Sequence, residues 1–269
     1  MKQRVISSII GIPILIAIIM SKNSAIINGS ILILMVIGLI EFYKSFEGFD
    51  MKYGAIGIIF SIIYFVSITL NLSSKSGFYI FLFSLFLIFY SIIFYKRDNV
   101  KNATVTFISF FYVACMFSFI VQIINMNPYG NTLVFLVFVV AWSADTFACL
   151  FGQRFGKHKL TPIVSPKKSV EGFIAGIAGA GIISYLYGLV VLNFTNIHIN
   201  NFLIICIIAG GIGSILSQFG DLTSSLIKRF NNVKDFGKLI PGHGGVLDRF
   251  DSIILTAPFI YYLLILTMK

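Results

Sequence analysis

The chain has 269 residues, of which 58% are hydrophobic and only 11% are charged. A soluble domain carries about 25% charged residues, so this chain has too few polar side chains to cover a water-facing surface. Its net charge of +10 would suit nucleic acid in a soluble protein, but membrane proteins collect basic residues in cytoplasmic loops. We therefore expect a polytopic membrane protein with no nucleic-acid partner.

Long apolar runs recur along the whole chain. A helix needs about 20 apolar residues to cross the roughly 30 Å hydrocarbon layer, and the runs are continuously apolar rather than alternating, which argues against membrane strands. The first run resembles a signal peptide, but we interpret it as an uncleaved helix. The prediction is an all-α, polytopic integral membrane protein with about nine transmembrane helices, at 4–20, 25–43, 54–72, 77–95, 103–124, 131–151, 170–192, 202–220 and 252–268.

Lysine and arginine are divided unequally between the predicted loops. The N-terminus and every second loop hold 17 of the 20, and the other loops and the C-terminus hold 3. The positive-inside rule then places the N-terminus in the cytoplasm and the C-terminus outside, in a multi-pass protein of the cell membrane. Two long polar loops, 154–171 and 228–251, face the cytoplasm in this arrangement.

The polar chemistry lies in the C-terminal half. Residues 1–130 offer no constellation typical of catalysis and are expected to form a scaffold and contact lipid, whereas residues 131–269 are expected to be the catalytic domain. The three cysteines lie inside apolar runs without CxxC spacing, so we expect small buried side chains and no disulfide: Cys115, Cys149 and Cys206.

Four aspartates lie within or at the ends of the predicted spans. Asp145 and Asp221 interrupt apolar runs, where an aspartate at a helix centre costs about 2.5–3.5 kcal/mol. Asp248 and Asp251 lie three apart and share one helix face, although acids at a helix start are also favoured by the helix dipole alone. Together the four predict a divalent-cation site, and hard oxygen ligands suit Mg²⁺.

Basic residues surround these acids in the two long loops. Phosphoryl and nucleotidyl transfer pass through a transition state with several negative charges. A metal ion, lysine, arginine and glycine amides together neutralise such charge. The basic set comprises Lys157, Lys159, Lys167, Lys168, Lys228, Arg229, Lys234, Lys238 and Arg249.

The segment PGHGG precedes the last predicted helix. Gly242, Gly244 and Gly245 can take positive φ and let amides approach an anion, and a helix N-terminus is itself an anion site. A plain Pro-Gly turn is the alternative, which the neighbouring His243 and Arg249 disfavour. Elsewhere, small residues repeat every four positions and predict helix packing: Gly172, Gly176, Ala180 and Ser184.

The stretch SLIKRFNNVKDFGKLIPGHGGVLDRFD, residues 225–251, resembles the signature of the phosphatidate cytidylyltransferases, also called CDP-diacylglycerol synthases. Residues 145–172 are similar to a second conserved region of that family, except that Cys149 stands where an aromatic residue is common. The fixed positions of the signature are met by Ser225, Lys228, Arg229, Lys234, Asp235, His243, Gly244, Gly245, Asp248, Arg249 and Asp251.

The resemblance implies a membrane enzyme that condenses CTP with phosphatidate to CDP-diacylglycerol and pyrophosphate in phospholipid synthesis. It implies dependence on Mg²⁺, and family members are often homodimers. The catalytic candidates are Asp221, Asp248, Lys228 and Arg249, with Asp145, Asp221, Asp248 and Asp251 as metal ligands. Candidates for substrate binding are Ser165, Lys167, Lys168, Arg229, Lys234, His243, Gly244 and Gly245.

The attacking phosphate oxygen is already anionic, so we expect no strong general base and interpret His243 as a phosphate donor or loop organiser. The alternatives are a CTP-dependent polyprenol or lipid kinase and a transporter, since acids inside spans also mark transport sites. A CDP-alcohol phosphotransferase would need an Asp-Gly pair, and the sequence has none.

Overall fold

The computed structural model describes residues 11, 13–72, 76–95, 98–195, 197, 199–240, 242 and 244–268. Within these residues, eight helical segments are long and apolar enough to cross a membrane, and residues 13–20 are also helical. The segments are α1 (Ser24–Ser45), α2 (Met51–Thr69), α3 (Ser76–Ile93), α4 (Asn99–Ile124), α5 (Gly130–Phe155), α6 (Val170–Phe194), α7 (Phe202–Phe230) and α8 (Leu247–Thr267).

Eight of the nine predicted spans are confirmed, and much of the remaining one, 4–20, lies outside the described residues. The largest difference in bounds is at α7, predicted to end at 220 but helical to Phe230. Apolar runs mark only the part of a helix that lies in hydrocarbon, and backbone hydrogen bonding continues through polar residues beyond it. Lys228 and Arg229 therefore lie on a helix instead of in a loop, and Asp221 lies within that helix instead of at its end.

Short polar side chains fix several helix starts. The Asn23 side chain accepts hydrogen bonds from the Ala25 and Ile26 amides at the start of α1. Asp50 caps α2 through the Lys52 amide, and Ser169 caps α6 through the Gly172 amide. These contacts satisfy amide groups that have no partner inside the helix.

The predicted loop 154–171 contains a β-hairpin that the sequence analysis missed. Strands β1 (Lys159–Thr161) and β2 (Ser165–Ser169) pair antiparallel, with Lys159 opposite Ser169. Successive side chains of a strand point to opposite faces, which leaves Lys167 exposed and turns Lys168 partly inward. The membrane-spanning part is all-α, and the hairpin sets the direction of the SPKKS lysines.

The chain divides into two compact units. Unit 1 comprises residues 1–122 and 233–249, and unit 2 comprises residues 123–232 and 250–269. In unit 1 the ring of Phe42 on α1 stacks on Phe236, with 6.0 Å between ring centroids, and Leu247 contacts Gly38 of α1. Phe236 and Leu247 therefore pack against an N-terminal helix within one unit.

Unit 2 is held together by close contacts between α5, α6 and α7. A Cβ added to Gly176 of α6 would lie 3.0 Å from the Ala144 carbonyl of α5, and Ala180 of α6 meets Gly210 of α7. The predicted packing role of the small-residue stripe is confirmed. All three cysteines are free; Cys115 and Cys206 are buried as predicted, but Cys149, also predicted to be buried, is exposed.

Candidate active site

Three aspartates from three helices of unit 2 lie together, and we call them the carboxylate cluster: Asp145 on α5, Asp221 on α7 and Asp251 on α8. The Ser252 hydroxyl donates a hydrogen bond to Asp145 Oδ2 at 2.7 Å and lies 3.3 Å from Asp251 Oδ1. Asp221 directly follows Gly220, where an added Cβ would lie 2.5 Å from the Asp251 carbonyl oxygen. The structure thus brings together three of the four predicted metal ligands.

Two lysines face this cluster. Lys168 Nζ lies 2.7 Å from Asp221 Oδ2 and donates to the Gln218 carbonyl at 3.3 Å. Lys228, which is buried, has its Nζ 4.0 Å from Asp251 Oδ2. Three carboxyl groups thus face two ammonium groups, and carboxylate charge without a cationic partner favours binding of a further cation.

The close approach of α7 to α8 inside unit 2 depends on Gly220. A Cβ at this position would lie 2.5 Å from the Asp251 carbonyl oxygen. On the same side of α7 the buried hydroxyls of Ser217 and Ser224 have no hydrogen-bond partner among the described residues. A polar, closely packed helix face therefore supports Asp221.

The donor set of the carboxylate cluster is chemically suited to Mg²⁺, which prefers carboxylate and hydroxyl oxygens. In the part of the chain that the structure describes, no group of three or more His, Cys, Asp or Glu side chains is placed to hold a metal ion. Mg²⁺ commonly uses only one or two protein carboxylates and takes its other ligands from water and substrate phosphates. The cluster fits that mode of binding.

A basic cavity lies in unit 1, and we call it the loop pocket. Its volume is about 500 Å³, within the range of small-molecule sites. Three cationic side chains and one carboxylate line it, with several glycines. The described lining is Lys234, Asp235, Gly237, Lys238, Ile240, Gly242, Gly244 and Arg249.

The glycines of this segment have different reasons to be glycine. Gly242 and Gly244 have φ of +77° and +89°, as the sequence analysis expected, because positive φ is costly with a side chain. Gly245 is not in that conformation; a Cβ there would run into the carboxylate of Glu41. Its amide donates to Asp248 Oδ2 at 3.0 Å.

Asp248 has a structural task that the sequence did not reveal. It is buried, and its Oδ2 accepts hydrogen bonds from the amides of Phe236, at 2.9 Å, and Gly245. Asp248 belongs to unit 1, unlike the other three predicted ligands. The Gly245 amide, predicted to hold phosphate, has a partner within the chain, so the basic side chains are the stronger phosphate donors in the loop pocket.

Glu41 was not among the site residues predicted from the sequence. Its Oε1 accepts from the Val246 amide at 3.0 Å, and its Oε2 accepts from the Leu247 amide at 2.9 Å. Glu41 is buried and lies inside the predicted span 25–43. The rule that singled out Asp145 and Asp221, an acid inside an apolar run, would have found it.

The remaining predicted substrate-binding residues lie at several places. Ser165 pairs with Thr161 in the hairpin, and Lys167 on the same strand is exposed. Arg229 donates to the Val164 carbonyl at 3.4 Å, which ties the end of α7 to the hairpin turn. His243 lies outside the described residues. The binding roles of these side chains stay predictions.

Comparison with known proteins gives a consistent result. A family model described as the cytidylyltransferase family matches residues 2–267. Three similar curated proteins are named phosphatidate cytidylyltransferase. The relative from Bacillus subtilis (strain 168) is 42% identical over 156 residues, 58% of this chain and 55% of that protein.

The relative from Rickettsia bellii (strain RML369-C) is 43% identical over 145 residues, 52% of this chain and 61% of that protein. The relative from Staphylococcus epidermidis (strain ATCC 12228 / FDA PCI 1200) is 36% identical over 178 residues, 66% of this chain and 65% of that protein. Each alignment therefore spans less than two thirds of the relative's own length.

Proposed function

This chain belongs to the cytidylyltransferase family, and we propose that it is a membrane-embedded phosphatidate cytidylyltransferase that makes CDP-diacylglycerol and pyrophosphate from CTP and phosphatidate. The observation that carries the proposal is the carboxylate cluster with its two lysines, in which the three aspartates come from three apolar helices. A site at that place suits a reaction between a soluble nucleotide and a lipid head group. The name of the curated relatives adds support.

The reaction joins two anions. A phosphate oxygen of phosphatidate attacks the α-phosphorus of CTP, a new P–O bond forms there, and the bond from that phosphorus to the β-phosphate oxygen breaks to release pyrophosphate. An ionised phosphate oxygen has no proton to remove, so the chain need not supply a strong base. Its main tasks are to align the two phosphates and to neutralise their charge.

We assign metal binding to the carboxylate cluster, with Asp221 as the first ligand and Asp145 and Asp251 beside it. Mg²⁺ bound there would neutralise phosphate charge and polarise phosphorus. Lys168, whose Nζ lies 2.7 Å from Asp221 Oδ2, is proposed to exchange this carboxylate partner for a substrate phosphate. Lys228 compensates the buried charge of Asp251.

The loop pocket is proposed to hold phosphate groups. Lys234, Lys238 and Arg249 give its lining three positive charges against the single carboxylate of Asp235. An arginine binds a phosphate through two parallel N–H groups, whereas a lysine acts as a mobile point charge. All three belong to the basic set identified from the sequence, where Lys234 was proposed to bind substrate and Arg249 to act in catalysis.

We propose that the site faces the cytoplasm and that the N-terminus is also cytoplasmic, in the cell membrane. The support is the distribution of 17 of the 20 basic residues to one set of loops, by the positive-inside rule. CTP would enter from the cytoplasm while the acyl chains of phosphatidate stay in the bilayer.

The test uses the purified full chain in detergent micelles with phosphatidate and CTP labelled at the α- or the γ-phosphorus. The proposal expects α-label in a CDP-lipid, with magnesium required and EDTA inhibiting. Incorporation of γ-label into a polyprenol would instead identify a lipid kinase and overturn the proposal. The variant Asp221→Asn, purified in parallel, controls for a contaminating enzyme.

A further inference from the structure

We infer that Glu41 is a positioning residue: its carboxylate, carried by the N-terminal helix α1, holds the Gly-rich segment 244–247 in the shape that places Arg249 at the loop pocket. This inference rests on the proposed function for its catalytic consequence. The tethering of the segment itself does not depend on which reaction the chain catalyses.

The contact satisfies the start of α8. Helices begin with amide groups that have no partner inside the helix, and Val246 and Leu247 are at that place because α8 begins at Leu247. Both amides donate to Glu41, one to each carboxylate oxygen. A negative charge is favoured at a helix N-terminus, and hydrogen bonds to a carboxylate are stronger than neutral ones.

The partner is unusual because helix caps normally come from the residues just before the helix. Here the donor and acceptor lie 205 and 206 positions apart in sequence. The cap therefore joins an N-terminal membrane helix to the segment that carries the resemblance to the signature. Both belong to unit 1.

The shape of the segment matches the carboxylate closely. A side chain at Gly237 or at Gly245 would collide with the Glu41 carboxylate, so the backbone wraps it from two sides. Shortening the side chain by one bond of roughly 1.5 Å would withdraw it from both amides. The fit thus requires a carboxylate at the distance that glutamate provides.

Neighbouring amides extend the arrangement to the loop pocket. Gly245 donates to Asp248 while Val246 and Leu247 donate to Glu41, so three consecutive amides are fixed by two carboxylates. Gly244 and Arg249, on either side, line the cavity, whereas Glu41 does not. Glu41 therefore acts through the backbone and not on the substrate.

The experiment compares Glu41→Gln with the wild type. Glutamine keeps the shape but has one acceptor oxygen, so one of the two amides would face an NH₂ group. We expect the KM for CTP to rise by about 10- to 100-fold, as for a misplaced binding group, with a smaller change in kcat. We also expect faster hydrogen exchange that is confined to peptides covering 244–249. The matched control is Glu47→Gln, which removes an exposed charge from the segment after α1.

Gly237→Ala is the second variant, because its added methyl group would displace the Glu41 carboxylate without removing it. It tests the same tether if the Glu41→Gln protein does not accumulate. If the variant that is measured, Glu41→Gln or Gly237→Ala, has the hydrogen-exchange rates and the KM of the wild type, the inference is overturned. Uniformly faster exchange across all helices with no change in KM would also overturn it, because that result would mark a purely structural role. Loss of the proposed function would show as absent CDP-lipid in the wild type, and the exchange measurement would still decide the tether.

Discussion

The two units use their carboxylates in different ways. In unit 1 the oxygens of Glu41 and Asp248 accept from backbone amides. In unit 2 the carboxylate cluster mainly contacts the side chains of Lys168, Lys228 and Ser252, and the Ser252 amide also donates to Asp251 Oδ1. Amides are fixed by the fold, so a carboxylate that holds them shapes the chain. A lysine can swing away, so a carboxylate paired with it can accept another cation.

The largest expected effect is for the carboxylate cluster of unit 2, whose lysine partners can be replaced by another cation. Asp221→Asn should lower activity by about 10³-fold, because metal binding stabilises charge by several kcal/mol and each 1.36 kcal/mol is a factor of ten. Initial rates measured over a range of magnesium concentrations check it. Asp98→Asn is the control, since Asp98 is exposed and its side chain caps nothing. Unchanged magnesium dependence in Asp221→Asn would contradict the metal assignment.

Two variants of Asp248 separate the effect of its hydrogen bonds from the effect of its charge in unit 1. Asp248→Asn keeps an oxygen for the Phe236 and Gly245 amides but loses the charge, so the metal-ligand role predicted from the sequence entails about 100-fold lower activity, with hydrogen-exchange protection of the loop retained. Asp248→Ala should lose both, since each buried amide left without a partner costs about 1–3 kcal/mol. Full activity in Asp248→Asn would show that Asp248 only holds amides.

Gly220→Ala tests whether helix packing positions the carboxylate cluster. The added methyl would meet the Asp251 carbonyl, and such overpacking costs typically about 1–3 kcal/mol. We expect a lower thermal unfolding midpoint and roughly 10-fold lower kcat, because a displacement near 1 Å already impairs catalysis. Gly211→Ala on the same helix is the matched control, with no atom within 4 Å of its added Cβ. Equal behaviour of the two variants would refute the packing argument.

The smallest expected effect concerns the exposed cations of the loop pocket. Lys238→Ala should raise the KM for CTP by about 3- to 10-fold, more at low than at high ionic strength, because exposed charges are screened by salt. Kinetics at two salt concentrations check this. Lys52→Ala, an exposed lysine outside the pocket lining, should behave like the wild type. A KM that does not depend on salt would remove Lys238 from phosphate binding.

The sequence predicted most of the membrane-spanning helices because hydrophobic length is a property of consecutive residues. It also singled out Asp145 and Asp221, whose cost inside an apolar run requires a reason. It missed the hairpin at β1 and β2, since two strands of three and five residues give almost no periodic signal. The predicted end of α7 came too early, because the polar last turns of the helix extend beyond the apolar run.

By itself the sequence determined that this is a multi-pass, helical membrane protein of the cytidylyltransferase family, with its acids and bases concentrated in two polar segments. Only the tertiary structure decided which partners those residues have. Asp248 accepts hydrogen bonds from amides of its own loop, and Asp221 pairs with Lys168. The amide at the start of α8 donates to Glu41 on α1. The physical reason is that hydrophobicity is read from neighbours along the chain, whereas a hydrogen-bond acceptor can come from a helix about 200 residues away.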